Sequence, residues 1–126
     1  MRLSAANRTK VYDAFIEVFE AATGAKFKWQ PSEKERVKNI FIRVAEAMAC
    51  REEEDFDKAF LMYQRYLVNT VDKWIRWDKR DRMNYVGFMD KKENISIFVS
   101  GVQAQRKLKE SSHDIAGTKH AEQWDF

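Results

Sequence analysis

From Phe56 to Trp74 the apolar residues Phe56, Phe60, Tyr63, Leu67, Val71 and Trp74 recur every three to four positions. That is the period of one helical face, and it extends over more than five turns. Arg65, Asn69, Lys73, Arg76 and Arg80 fall at the same period on the opposite side, with Tyr66 and Trp77 on the border between the stripes. A strand cannot hold either pattern, because its side chains alternate with a period of two. The segment therefore predicts a long amphipathic helix that ends near Trp77, since Asp78 and Asp81 would turn toward the core if it continued.

The rest of the chain agrees with a helical design. One proline and four glycines in 126 residues argue against a turn-rich β fold. Ser4 or Asn7 is placed to cap a first helix reaching Ala22, with Val11, Phe15, Val18, Phe19 and Ala22 inward and Gly24 as its stop. Phe27 and Trp29, alternating with Lys26 and Lys28, are expected to fold back on the core. Ser32 and Glu35 have capping-box spacing at the start of a second helix that carries Val37, Ile40, Phe41, Val44 and Met48. Asp55 is the candidate N-cap of the long helix.

Residues 79–94 are less determined. Ile95, Phe98, Val99 and Val102 predict a further helix capped by Asn94 and running to Lys109. Residues 83–89 fit either a short helix or a strand, and alternation in 84–89 and 95–99 leaves a β-hairpin around 90–94 as the other reading. The expectation is an all-α, single-domain bundle of about four main helices over residues 1–109. A polar segment, 110–126, follows as a flexible tail.

Charge is distributed unevenly. Residues 64–109 hold eleven basic and five acidic groups, a net +6, whereas 1–63 balance and 110–126 are net −3. A local basic patch points to an anionic partner more strongly than overall pI does. Arg65, Lys73, Arg76, Arg80 and Arg82 are thus candidate phosphate contacts, extended by Lys79, Lys91 and Lys92. Trp77 and Tyr66 beside them are candidates to stack on unpaired bases, which favours single strands. The alternative use is an acidic protein surface, or simply a solvated helix face. In the tail, Trp124, Asp125 and Phe126, with Glu122 and Gln123, read as a docking peptide with two aromatic anchors and steering acids, as a segment that folds onto the chain's own basic stripe and competes with an anionic ligand, or as an end with no partner role, Trp124 packed on the domain surface or disordered.

No phosphate-cradling Gly-rich loop, HExxH, GxSxG or CxxC pattern occurs, and both histidines, His113 and His120, fall in the tail. The expectation is a non-enzymatic protein with no metal and no cofactor. Glu52, Glu53, Glu54 and Asp55 read as acids at a helix start and not as a cation site. Cys50 alone implies no disulfide framework and a reducing, cytoplasmic setting. No apolar run reaches the length of a membrane span.

The order of parts also resembles small helical proteins of phage and mobile-element replication cassettes. The resemblance rests on the Ala22–Trp29 turn (ATGAKFKW), the ERVKNIF helix start, the WIRW end of the long helix and the NISIFVS segment. It covers residues 10–109 and implies a helical bundle that works with replication proteins, single strands or a helicase-loading step. The same format suits phage-encoded inhibitors of host proteins. The resemblance assigns no site residues, and the oligomeric state stays open.

Overall fold

The computed structural model describes residues 1–116, with side chains as far as Leu108. Five helices follow one another: α1 (Ala5–Thr23), α2 (Glu33–Ala47), α3 (Phe56–Arg76), α4 (Tyr85–Met89) and α5 (Lys92–Ala116). Short 3-10 turns at Glu53–Asp55 and Arg80–Arg82 flank α3. The described residues contain no strand, so the fold is all-α and the hairpin alternative is not adopted. α3 is the central element. It packs on α1 and α2, while α4 and α5 close against it from the other end of the chain.

α1 follows local chemistry closely. Ser4 Oγ accepts a hydrogen bond from the Asn7 N–H at 3.1 Å. Gly24, at φ 72°, donates to the Glu20 carbonyl in the left-handed conformation that glycine adopts without strain. Val11 and Phe15 are fully buried, but Ala22 faces solvent and does not belong to the inward face. The connection after α1 is held by the Phe27 N–H donating to Glu20 Oε2 at 3.0 Å. Phe27 and Trp29 do return to the core, with ring centroids 4.7 and 5.4 Å from Phe15.

The start of α2 differs from the capping-box expectation. Ser32 sits at φ 71° and its side chain makes no capping bond. An N-cap hydroxyl reaches the helix from extended backbone, and left-handed backbone aims it elsewhere. Glu33 takes over: its Oε1 accepts from the Gln30 N–H at 2.6 Å and its Oε2 from Asn84 Nδ2 at 2.8 Å. Asn84 Oδ1 in turn caps α4 by accepting from the Gly87 N–H. One buried carboxylate thus ties the start of α2 to the start of α4. Glu35 pairs instead with Lys38.

Asp55 likewise does not cap α3. Its backbone is already helical, and its Oδ2 accepts from the Arg51 and Glu52 N–H groups upstream. The buried arc of α3 is wider than the sequence stripe. Ala59, Met62, Tyr66 and Thr70 join Phe56, Tyr63, Leu67 and Val71, whereas Phe60 and Trp74 are only half-buried. Tyr66, placed on the border by spacing, is fully enclosed and donates to the Met89 carbonyl at 2.6 Å.

α5 begins at Lys92, two positions before the expected cap. Asn94 Nδ2 instead donates back to the Phe88 carbonyl of α4. The helix also runs past Lys109 to Ala116, beyond the expected start of the tail. The α4–α5 turn is clamped to α2 through Asp90. Arg36 donates to the Asp90 carboxylate from Nε at 3.1 Å and Nη2 at 2.9 Å, and Arg43 donates to both that carboxylate and the Asp90 carbonyl.

Three tyrosines lie in the core, and they are not equivalent. Tyr66 and Tyr85 donate to the carbonyls of Met89 and Leu67, but the Tyr63 hydroxyl is buried with no hydrogen-bond partner. Tyr63→Phe is therefore expected to leave stability unchanged or raise it by up to about 1 kcal/mol, because it removes a buried unpaired group. Tyr66→Phe is expected to cost about 1–2 kcal/mol by orphaning the Met89 carbonyl. Urea midpoints of the two variants check both, and equal losses would contradict the assignment.

Candidate binding face on α3 and α5

The outer side of α3 does not form one continuous basic stripe. Arg76 Nε lies 3.3 Å from Asp72 Oδ1, an exposed pair one turn apart. Arg80 sits in the 3-10 turn, where its guanidinium donates to the Ile75 carbonyl and so closes the C-terminal end of α3. Arg82 is exposed in the same turn. Trp77 caps α3 with its backbone, while its half-buried ring rests on Phe88 at 5.3 Å. Lys91 Nζ stands 5.1 Å from the same ring, in cation–π range. Tyr66 offers no stacking surface, since it is enclosed.

Arg65, Asn69 and Lys73 belong to a different arrangement. Together with Gln64 and Val68 they form one wall of a groove of about 660 Å³. The other wall is Ile97, Phe98, Gly101, Val102 and Gln105 of α5. Among the described residues, its lining is apolar at Val68, Ile97, Phe98 and Val102 and polar at two cations and three amides. The residues named from the sequence thus divide. Arg65 and Lys73 line the groove, whereas Arg76, Trp77, Arg80 and Arg82 lie around the C-terminal end of α3. Trp124, Asp125 and Phe126 lie outside the described residues.

The side of this face that sequence reasoning missed is its apolar component. Leu61 (46% exposed), Val68 (60%), Ile97 (57%) and Leu108 (52%) are the large hydrophobics left open to solvent among the described residues. All four stand on α3 or α5. Leu61 and Val68 are seven residues apart and Ile97 and Leu108 eleven, so each pair shares one stripe of its helix. The signal was present as apolar residues on the polar side of each helix, but the groove that brings Val68 and Ile97 together was not.

Among the described residues, no three His, Cys, Asp or Glu side chains are grouped as metal ligands. Cys50 is buried at the end of α2, its N–H bonded to the Ala45 carbonyl at 2.8 Å. No helix of the described residues is long and apolar enough to cross a membrane. Comparison of the chain with family models, with curated proteins and with solved structures gives no match in any of the three.

Proposed function

We propose that this chain is a non-enzymatic binding module that engages a protein partner along the α3–α5 face. The observation carrying this reading is the concentration of Leu61, Val68, Ile97 and Leu108 on two adjoining helices beside a groove. Isolated exposed apolar side chains are ordinary, but Val68 and Ile97 line the same groove among polar groups, and an exposed apolar patch so rimmed marks an interaction surface. Phosphate recognition would use cations and gain nothing from covering Val68 and Ile97. Two of the candidate phosphate ligands, Arg76 and Arg80, also have bonds within the fold. The replication-cassette resemblance would make the partner a component of a replication complex or a host protein under inhibition, in a reducing, cytoplasmic setting.

The second reading, contact with single-stranded nucleic acid, is favoured by one specific observation. The net +6 of residues 64–109 includes Lys79, Arg82 and Lys92, all exposed near the C-terminal end of α3 or the start of α5. The two readings separate by photo-crosslinking. A crosslinking residue at Val68 in the full chain is compared with one at exposed Asp13 of α1, with and without nuclease. A protein adduct specific to Val68 that survives nuclease and is competed by unlabelled protein is the expected result. Salt-sensitive oligonucleotide binding that Arg82→Glu abolishes, with no Val68-specific adduct, would replace this reading by the second.

A further inference from the structure

Away from the α3–α5 face, we infer that a cleft between the N-terminal segment and α2 binds a small organic phosphomonoester. The phosphate dianion meets Arg2, Arg8 and Lys38, and the organic group rests on Met1, Leu3 and Ile42.

The cleft has a volume of about 510 Å³ and is lined, among the described residues, by those six side chains. Small-molecule sites span roughly 300–1,000 Å³. None of the six lines the α3–α5 groove. Three stretches of chain build the cleft. Met1 and Leu3 pack against the core, so Arg2 is anchored on both sides. Arg8 stands near the start of α1, which the Ser4 cap fixes. Lys38 and Ile42 are one turn apart on α2, which packs on α1. Tertiary packing, and not adjacency in sequence, thus brings the three cations to one place.

Converging like charges repel, and that cost stands unless negative charge offsets it. The fold supplies part of the offset. Lys38 Nζ pairs with Glu35 Oε1 at 2.8 Å. Arg2 and Arg8 make no ion pair among the described residues. The local sequence supplies none either. No Asp or Glu occurs from Met1 to Tyr12, and the positions one helical turn from Arg8 are Ser4, Ala5, Val11 and Tyr12. Arg36 and Arg43 of α2 differ in this respect, since Asp90 takes up both.

The lining specifies the ligand's chemistry. Three cations less the one paired carboxylate leave a net +2. A phosphomonoester approaches that charge with opposite sign at neutral pH, whereas a phosphodiester or a sulfate ester carries a single negative charge. Two of the three cations are arginines, whose planar fork fits phosphate oxygens in pairs. Met1, Leu3 and Ile42 give an organic group apolar surface to cover, a gain that inorganic phosphate does not make.

The test titrates phenyl phosphate, phenyl sulfate and inorganic phosphate into the isotope-labelled full chain and follows backbone amide shifts. Near pH 7.5, phenyl phosphate is expected to bind roughly tenfold more tightly than phenyl sulfate, and more tightly than inorganic phosphate. The shifts should centre on residues 1–8 and 38–42. Phenyl phosphate takes up a proton below its second pKa of about 6, so most of its advantage over the sulfate should vanish near pH 5. Comparing the two esters separates the ligand's ionisation from the protein's. Arg2→Gln combined with Arg8→Gln should abolish the preference while circular dichroism stays helical, because both side chains are exposed. Lys58→Gln, exposed on α3, should leave the preference unchanged. Lys38→Gln decides the matter if the double variant does not fold.

No binding of either ester, equal affinity for the two, or shifts centred elsewhere would overturn the inference. So would a preference that persists in the folded double variant. A single-stranded oligonucleotide that displaces phenyl phosphate and depends on Arg2 and Arg8 for tighter binding would overturn it in favour of phosphodiesters. Shifts at residues 1–8 on deleting 117–126, with no ligand present, would overturn it in favour of the chain's own acids.

Discussion

Phe15→Ala is expected to cost about 3–5 kcal/mol, the range for deleting a fully buried aromatic side chain. Phe15 has no exposed surface. Its ring lies within stacking or edge range of Phe27 at 4.7 Å, Trp29 at 5.4 Å and Tyr85 at 5.5 Å. It thereby joins three parts of the chain that no backbone ladder connects: α1, the 25–30 connection and α4. Removing it leaves a cavity whose walls are large rings that cannot close in, so the cost belongs at the upper end of the range. Against a typical domain stability of about 5–15 kcal/mol, that is a large fraction of the total. With a urea slope of about 1–2 kcal/mol per molar, the midpoint should fall by roughly 2 M or more. A loss below about 1 kcal/mol would mean that the aromatic cluster does not hold α1 to α4.

Alkaline solution should unfold the protein steeply, and the cause is again the core. Burial pushes the hydroxyls of Tyr63, Tyr66 and Tyr85 well above the ordinary tyrosine value. For Tyr85 the hydrogen bond with Thr70 opposes that shift without cancelling it. In the unfolded chain these groups lose their protons near pH 10. Above that pH the folded state therefore binds more protons than the unfolded state, and stability falls as pH rises. Below it these three groups contribute no pH dependence. Each contributes about 1.4 kcal/mol per pH unit, so together the slope is about 4 kcal/mol per unit until the folded protein ionises or unfolds.

Tyrosinate absorbance and helical circular dichroism should consequently change together above pH 10, in one transition. Tyr63→Phe should reduce the slope by about one third, a change independent of its small effect at neutral pH. If Tyr63, Tyr66 and Tyr85 ionise near pH 10 while the helices stay intact, their burial is not as described.

The helices themselves were largely legible. The long apolar stripe of α3, the Ser4 cap and the Gly24 stop all follow from contacts within a few residues. The short helix at 85–89 was legible only as one of two readings, because five residues carry too little periodic signal to separate helix from strand. The misplaced caps have a shared cause. Ser32 and Asp55 are suitable residue types at suitable spacings, but capping requires a backbone conformation that neither adopts. At α2 the competing partner, Asn84, lies 51 residues away.

The candidate site was read in part for a similar reason. Arg65 and Lys73 were visible as one edge of a helix face, but the groove they line needs α5 as its other wall. The sequence alone determined an all-α chain with a central amphipathic helix and a basic bias in its second half, because those are properties of local period and composition. Only the tertiary structure decided that Tyr66 is enclosed and that Val68 and Ile97 stay open. Burial depends on how many neighbours surround a helix and from which sides, and a one-dimensional pattern does not contain that number.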